Sequence, residues 1–465
     1  MFSEFWTYLA DWSTFDTWIV VSAALSAMAC ALPGCFLVLR RQSLLGDVLS
    51  HTVLLGIVLG FLFSHHLLES GRIPLSSYPA VQRTAIFIGA IVIGIVTALL
   101  ADLIKKTGRT ESSAALGVVY TTLFALGLLL IRLAADQVHI DPDCVLFGME
   151  ETSVLDTVGT TGIPKSALIN GAMLLINGLL IVVFFKELRL SSFDPQLANT
   201  LGLRPAIINL GILIVTSATL VAAFESVGNI LVIAMLIVPP ATAFLLTRRL
   251  PRMLLWSLAL AALSAICGHI SAITLPPMVF SRWGWPEVDG ARTAGMMATV
   301  SGLFFFCALL FAPSTGIFSR LFHQFQLRIR FVAEDILGQL YRAAEAGRPM
   351  QRSLLRIQFL SSWYQSILVS WALMRLRQLG LLSGEPDDLQ LTPKGKSVAE
   401  AIVRSHRLWE SYMSQHLQLS DTHLHATAEW VEHYLDPGLR NALESELASP
   451  HSDPQGKQIP AEPKG

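Results

Sequence analysis

The sequence predicts an all-α polytopic membrane protein with eight or nine transmembrane helices, followed by a smaller soluble domain. Of the 465 residues, 53% are hydrophobic and only 14% are charged, which is too apolar for an ordinary soluble domain. The charges are also unevenly distributed, because residues 1–312 hold 35 of them and residues 313–465 hold 32. The first part is therefore predicted to span a membrane and the second to be soluble.

Residues 1–17 mix Trp and Phe with polar residues and are expected to form an interfacial segment before the first span. The transmembrane domain is predicted at residues 18–319. A helix needs roughly 20 apolar residues to cross the hydrocarbon core. Nine windows of about that length lack Asp, Glu, Lys and Arg: 18–39, 48–68, 84–101, 112–131, 166–185, 205–224, 226–247, 253–281 and 293–319. The two windows around Glu225 nearly touch, so eight spans result if that pair is re-entrant.

Basic residues mark alternate connections between these windows, in clusters that begin at Arg40, Lys105, Lys186 and Arg248. Cytoplasmic loops of membrane proteins carry an excess of Lys and Arg. These connections are therefore expected on the cytoplasmic side of the inner (cytoplasmic) membrane. With nine spans, the N-terminus lies outside and the C-terminal domain lies in the cytosol.

Two ionisable residues, Asp47 and His51, stand at i and i+4 in an otherwise uncharged segment, so they share one helix face. Ionisable groups inside a membrane are costly, which makes them candidates for a functional role. A carboxylate and a neutral imidazole suit a divalent first-row metal such as Mn(II), Fe(II) or Zn(II). The alternative is an interhelical hydrogen bond near the cytoplasmic interface, and the spacing alone leaves both interpretations open.

The stretch FESVGNILVIAMLIVPPATAFLL places Glu225 beside a turn at Gly228-Asn229 and puts Pro239-Pro240 in the middle of a window. Proline removes a helical donor and is tolerated in a span where a neighbour or a cavity satisfies the freed carbonyl. Glu225, Asn229 and Pro239 are therefore candidates for lining a transport pathway. A simple packing kink is the alternative.

Three stretches resemble, in order and spacing, signature regions of the manganese/zinc/iron-chelate ABC transporter permeases: VLRRQSLLGDVLSHTVLLGIVLG, FDPQLANTLGLRP and FESVGNILVIAMLIVPPATAFLL. The resemblance covers residues 18–319. It implies a pore of two permease subunits, identical or paralogous, driven by a cytosolic ATPase and supplied by an extracytoplasmic metal-binding protein. It also implies that Asp47 and His51 belong to the metal pathway.

The second stretch resembles the coupling segment of these permeases, which docks into the ATPase. Asp194, Pro195 and Gly202 are its candidate coupling residues, and Asp194-Pro195 suits the start of a short helix. The chain has no G-x-x-x-x-G-K-[ST] sequence, the loop that binds nucleotide phosphates. It is therefore predicted to be a transport subunit and not an enzyme, with ATP hydrolysis on a separate subunit.

The soluble part is expected to contain a winged-helix-like domain at 320–395, a helical metal-binding and dimerisation domain at 396–448, and a flexible tail at 449–465. The segment EDILGQLYRAAEAG has an apolar stripe and ends at Gly347, as expected for an amphipathic helix. The segments SLLRIQF and QSILVSWALMRLRQLGLL then form a helix–turn–helix pattern. The proline-rich end of the chain favours disorder.

The soluble part also contains imidazoles and carboxylates at helical turn spacing. His406 and Glu410 are at i and i+4 on one predicted helix, and Glu429, Glu432 and His433 fall on the next. Four of these side chains are able to converge between packed helices. Without a thiolate, such ligands favour Mn(II) or Fe(II). Solvent-facing charge pairs are the alternative.

The run from Leu391 to Pro460 resembles the metal-dependent repressors typified by the diphtheria toxin and manganese-transport repressors. The resemblance implies that His406, Glu429, Glu432 and His433 are metal ligands. By the same resemblance, Glu410 matches an accessory-site ligand of the iron-type members and Asp335 matches the first-helix ligand of the manganese-type members.

Some positions depart from the repressor pattern. Gly338 stands where manganese-type members have a second first-helix carboxylate, and the expected recognition helix QSILVSWALMRL lacks polar residues that would reach base edges. The sequence thus predicts a permease subunit of a manganese (or iron or zinc) ABC importer with a fused cytosolic metal sensor. A membrane-tethered or released metal-dependent repressor that binds DNA, and a dimerisation module with a degenerate site, are the alternatives.

Overall fold

The computed structural model describes residues 10–108, 111–134, 153–158, 162–280, 290–313, 315–347, 363–385, 388–417, 427–448 and 450–461. The chain divides into two compact units, Met1–Ser319 and Arg320–Gly465. We call them the membrane unit and the soluble unit.

The helices of the membrane unit follow the apolar windows. In chain order they are α1 (Thr14–Leu39), α2 (Ser43–Glu69), α3 (Tyr78–Gly108), α4 (Ser112–Ala134), α5 (Lys165–Val183), α6 (Phe185–Phe193), α7 (Pro195–Thr200), α8 (Pro205–Val227), α9 (Asn229–Leu246), α10 (Leu250–Phe280) and α11 (Thr293–Phe311). Within the described ranges, eight helices are long and apolar enough to cross a membrane. The apolar part of α9, Leu231–Leu246, is shorter. The predicted polytopic all-α fold is confirmed.

The first helix begins earlier than the sequence suggests. Ser13 and Asp16 form a capping box, in which the Asp16 amide donates to Ser13 Oγ (3.3 Å) and the Ser13 amide donates to Asp16 Oδ2 (2.7 Å). The cap fixes the start of α1 at Thr14. Residues 14–17 therefore form the first turn of α1, residues 1–9 lie outside the described part of the chain, and the interfacial position of this segment stays a prediction.

α1 lies at the centre of the membrane unit and packs against α5, α8, α9 and α10. At Gly34 the backbone of α1 lies so close to α9 that an added Cβ would overlap the Leu236 carbonyl oxygen. That carbonyl lacks its usual helical donor, because the residue four positions later is Pro240. The α1 backbone therefore covers the point where prolines open the hydrogen-bond ladder of α9.

Glycines also set the contact between α2 and α3. A Cβ added at Gly56 would lie 2.5 Å from the Gly89 carbonyl oxygen, and one added at Gly60 would lie 2.4 Å from the Ala85 carbonyl oxygen. Small residues four apart allow membrane helices to approach this closely. The contact holds α2, which carries Asp47 and His51, rigidly against its neighbour.

The soluble unit begins within α12 and is helical apart from one hairpin in its described residues. Its elements are α12 (Ile317–Glu345), α13 (Trp363–Gln378), β1 (Leu382–Ser383), β2 (Gln390–Leu391), α14 (Pro393–Leu417) and α15 (Pro437–Glu446), with a helical stretch at 427–431. The strands pair antiparallel, with Leu382 opposite Leu391, as in the wing of a winged helix. The predicted helix SLLRIQF lies outside the described residues.

One apolar core joins α12, α13, the hairpin and α14. It contains Ile329, Ile336, Leu337, Leu340, Val369, Leu373, Leu376, Leu382, Ala399 and Ile402. The 3.6-residue periodicity of α12 supplies most of its side of the core. This packing fixes α12 beside α14, the two helices that carry Asp335 and His406.

The end of the chain is packed, which corrects the expectation of a flexible tail for residues 450–461. Ile459 is buried against Leu408 and Leu447. Two buried arginines of α14 donate to main-chain oxygens of this segment, Arg404 to Pro460 and Arg407 to Gln458. We call residues 450–461 the C-terminal strap.

Candidate metal sites

Asp47 and His51 lie one turn apart on α2, and His51 Nε2 is 3.5 Å from Asp47 Oδ1. Both side chains are accessible, with 48% of Asp47 and 23% of His51 exposed. The imidazole packs against two rings of α4, with centroid distances of 5.0 Å to Tyr120 and 5.5 Å to Phe124. Within the described residues, no third His, Cys, Asp or Glu joins the pair to form a three-ligand group.

The helix break predicted near Glu225 occurs at Gly228, whose φ of +75° ends α8 and starts α9. Glycine adopts this left-handed conformation without steric cost. The side chains of Glu225 and Asn229 lie outside the described part of the structure. Pro239 is buried inside α9, which continues as a helix through both prolines. Whether these three residues line a pathway stays a prediction.

The predicted coupling segment forms two short helices, α6 and α7, between the spans α5 and α8. Asp194 caps α7, since its Oδ1 accepts a hydrogen bond of 2.9 Å from the Leu197 amide, and Pro195 occupies the first turn. Gly202 has a φ of +81° and reverses the chain after α7. Leu197 and Leu201 are exposed at 46% and 64%. The segment therefore presents apolar side chains on a rigidly capped helix.

Arg40, at the end of α1, ties this segment to the bundle. Its guanidinium donates to Ser192 Oγ (3.1 Å), Ser191 Oγ (2.7 Å) and Asn209 Oδ1 (2.9 Å). Burial lowers the pKa of Arg40 to about 10, which leaves it charged at neutral pH. The residue was identified from the sequence only as a topology marker, because its partners are more than 150 positions away.

In the soluble unit, two imidazoles each lie between two carboxylates. His406 Nδ1 is 2.6 Å from Glu432 Oε2, and its Nε2 is 3.1 Å from Glu410 Oε1. All three side chains are buried. Burial lowers the pKa of His406, but the hydrogen bonds to Glu410 and Glu432 outweigh it, so the pKa lies above its usual value.

The second imidazole belongs to His433. Its Nδ1 is 2.7 Å from Glu334 Oε2 and its Nε2 is 3.2 Å from Asp335 Oδ1. Burial opposes the charged ring, but Asp335 and Glu334 raise the pKa of His433 to about 9. The same contact, together with Arg330, holds the pKa of Glu334 below its usual value despite burial. Phe331 stacks on the ring at 4.7 Å and fixes its plane.

A positively charged side chain of the soluble unit, that of Arg342, also lies close to this cluster. Arg342 Nη2 lies 3.6 Å from Glu432 Oε2. The missing carboxylate at Gly338 leaves space in the fold, because a Cβ there would meet only Ile402 Cγ2, at 3.8 Å. The site therefore has one carboxylate fewer than the manganese-type pattern and one guanidinium close by.

The donor set fits a divalent metal ion. Asp335, Glu432 and His433 each offer a ligand atom, and these atoms lie within 4.8 Å of one another. Carboxylate oxygen and imidazole nitrogen without thiolate suit Mn(II) or Fe(II). His406 and Glu410 adjoin this group through Glu432. A bound ion would draw the ligands together and replace the protons on the rings.

Comparison with known proteins finds a family match for each of the two units. Residues 14–278 match the ABC 3 transport family, which covers more than half of the chain. The chain belongs to the ABC 3 transport family. Residues 392–461 of this ABC 3 protein match the iron dependent repressor metal binding and dimerisation domain. The predicted joining of a permease to a repressor-type domain is confirmed.

Relatives of this ABC 3 protein are themselves transport proteins. The zinc transport system membrane protein TroD of Treponema pallidum is 37% identical over 392 residues, which cover 82% of this chain and 97% of the relative. The manganese transport system membrane protein MntD of Bacillus subtilis is 38% identical over 310 residues, covering 66% and 95%. Among solved structures, PsaBC from Streptococcus pneumoniae in complex with Fab matches with a TM-score of 0.50 and 28% identity, covering 68% of this chain and 98% of that chain.

The repressor-type site of the ABC 3 protein contains residues that sequence reasoning did not identify. Glu334 contacts His433 although only its neighbour Asp335 was a candidate, and the adjacent pair of acids was the available signal. No sequence signal pointed to Arg342. Glu429 was a predicted ligand, but it is exposed and outside the three-ligand group, so its role stays a prediction.

Proposed function

We propose that this chain is the permease subunit of an ABC importer that moves a divalent transition metal, manganese first, across the cytoplasmic membrane. The zinc and manganese transport relatives support this class of substrate. The proposal assigns Asp47 and His51 as metal ligands of the pathway. The observation that carries it is the contact between this carboxylate and this imidazole on an accessible face of α2.

A second permease subunit, which the resemblance to metal ABC permeases implies, is expected to complete the coordination. Two subunits that face each other would supply two carboxylates and two imidazoles, a hard-to-borderline set that suits Mn(II). The remaining partners are a cytosolic ATPase at α6 and α7 and an extracytoplasmic metal-binding protein. The soluble unit is then cytosolic.

Uptake of radioactive Mn(II) tests the pathway. Asp47→Ala and His51→Ala, expressed with the ATPase and binding protein in a host that lacks its own manganese importers, should reduce uptake to background. His65→Ala is the matched control, because His65 and Glu69 form a similar pair on the same helix, 3.4 Å apart. Wild-type uptake in both test variants, at equal membrane abundance, refutes the assignment.

For the soluble unit we propose a regulatory role, in which cytosolic metal binds among Asp335, His406, Glu432 and His433 and restrains transport. The convergence of these side chains from three parts of the soluble unit supports it. Calorimetry on the full-length chain in nanodiscs, as wild type and as Glu432→Gln, should show a Mn(II) site lost in the variant. Equal binding by the two proteins refutes the site.

Repressor activity is the competing function. It requires that the full-length chain retard duplex DNA in a manganese-dependent way. The surface of α13 gives it little support, since apolar Ile367, Trp371 and Met374 are exposed there beside Ser370, Arg375 and Arg377, and base readout needs polar side chains.

A further inference from the structure

The soluble unit carries an exposed apolar surface on two neighbouring helices. It consists of Leu321, Phe322 and Phe325 on α12 and Ile367, Trp371 and Met374 on α13, and we call it the α12–α13 patch. Phe322, Trp371 and Met374 are exposed at 62%, 52% and 53%. The rings of Phe325 and Trp371 meet edge to face, with centroids 6.5 Å apart, so the two rows form one surface.

The α12 part of the patch continues the stripe that forms the core. Towards the C-terminus of α12 this stripe is covered, because Ile329, Ile336 and Leu340 are buried in the core of the soluble unit. Towards the N-terminus the same stripe is uncovered at Phe322 and Phe325. Contiguous exposed apolar surface of this kind marks an interaction site in soluble proteins.

Basic residues lie beside the patch along the chain, although one of them, Arg330, is paired with Glu334 at 2.7 Å. Residues 313–333 contain Arg320, Arg328 and Arg330 and no Asp or Glu. Exposed Arg375 follows Met374 on α13. A helix with aromatic and aliphatic residues on one face and basic residues beside them is typical of segments that lie in the membrane interface, where anionic lipids attract the basic residues.

The patch begins a short distance along the chain from the last candidate span. α11, the last candidate span, ends at Phe311 and α12 begins at Ile317. The five residues between them reach at most about 20 Å when extended. Leu321 and Phe325 therefore follow the end of that span by only 10 and 14 residues along the chain.

We propose that the α12–α13 patch docks the soluble unit on the anionic lipid surface of the membrane in which the chain is anchored. Phe322, Phe325 and Trp371 insert at the level of the headgroups, and Arg320, Arg328 and Arg375 contact lipid phosphates. α13 contains the segment that the sequence suggested as a recognition helix. In the docked state α13 contacts lipid and is not accessible to DNA. This docking does not depend on the transported metal or on the sensor site.

Site-specific photo-crosslinking in the full-length chain tests the docking. p-Benzoylphenylalanine replaces Trp371, or Phe322 in a second variant, and the protein is irradiated in nanodiscs of phosphatidylcholine with and without phosphatidylglycerol. Leu439 is the matched control, because it is 53% exposed on α15 and outside the patch. Mass spectrometry should find lipid adducts at 371 and 322 several-fold above the control, and more with the anionic lipid.

If the α12–α13 patch binds something other than lipid, the cross-linked products will differ. A cross-linked dimer from 371 or 322 would show that a second copy covers the patch and would overturn the proposal. Adducts with duplex DNA added with Mn(II), in place of lipid adducts, would overturn it in favour of a repressor. Lipid adducts no more abundant than at Leu439 would overturn it as well. The cross-linking experiment tests only lipid docking, and the uptake assay tests only the metal pathway, so either proposal can be refuted without the other.

Discussion

Manganese binding to the soluble unit should become tighter as pH rises from 6.5 to about 9. His433 has a pKa of about 9 because it lies between Asp335 and Glu334, and the pKa of His406 is also raised. A metal ion needs the neutral ring, so each ion that binds must displace these protons. The sequence alone places this dependence near an unperturbed histidine pKa of ~6.5, and the structure moves it upward.

The size of the effect follows from His433 alone. At pH 7, a ring with a pKa of about 9 is neutral in roughly one molecule in 100, which costs about 3 kcal/mol of binding free energy. Affinity should therefore rise about tenfold per pH unit between 7 and 9, and more steeply where His406 also loses a proton. Calorimetry of the full-length chain in buffers of different ionisation enthalpy measures both the affinity and the protons released.

Two carboxylate variants sharpen this test. Glu334→Gln replaces a charged carboxylate that raises the pKa of His433 with a neutral amide, so the pH dependence of binding should move to lower pH. Glu446→Gln is the matched control, because it alters an exposed carboxylate 3.9 Å from His416 in the same unit. A Mn(II) affinity that is constant from pH 6.5 to 8.5, with no proton released at pH 7, refutes the reasoning.

The same pKa shift affects folding when a chelator keeps metal away. Because the pKa of His433 is higher in the folded chain than in the unfolded chain, the charged ring stabilises the fold fully below pH ~6.5, and this stabilisation is lost as pH rises through about 9. The protection factors of the α14 amides in chelator, corrected for the base-catalysed intrinsic exchange rate, should therefore fall across this range. Added Mn(II) should reverse the trend.

Three further outcomes are expected. Arg342→Gln should strengthen Mn(II) binding severalfold, since the guanidinium 3.6 Å from a site carboxylate competes with the ion; unchanged calorimetric affinity contradicts this. Arg40→Lys should lower uptake severalfold, because an ammonium group cannot reproduce the fork that holds three partners, whereas Arg41→Lys, at an exposed position, should have little effect. A cysteine at Gln196 should cross-link to the ATPase; if Ser76 cross-links instead, the assigned topology is inverted.

Much of the membrane unit was predictable because span length and apolarity are set by the bilayer. Helix ends were less predictable, since they depend on single side chains. The capping box at Ser13 starts α1 within a segment whose Trp and Phe suggested an interface. The break between α8 and α9 falls at Gly228 because its backbone is left-handed, while the prolines that suggested a broken helix lie inside a continuous one.

The soluble site was predictable in part, because ligands at turn spacing share a helix face. His406 and Glu410 meet as that spacing suggests, and Glu432 joins them from a separate segment. Contacts between distant elements were not predictable in this way. Glu334 and Arg342 reach the site because α12 packs beside α14, and only the tertiary packing shows which side of α12 faces the cluster.

The C-terminal strap limits how far the chain can be shortened. Arg404 and Arg407 are buried on α14, and Arg407 directly follows the candidate ligand His406. Their main-chain acceptors, at Pro460 and Gln458, come from the strap. A protease or a stop codon that removes the last 16 residues would leave two buried guanidinium groups short of acceptors, at a cost of about 1–3 kcal/mol each. Such a loss would weaken the candidate metal site of the soluble unit by destabilising α14, although every ligand residue would still be present.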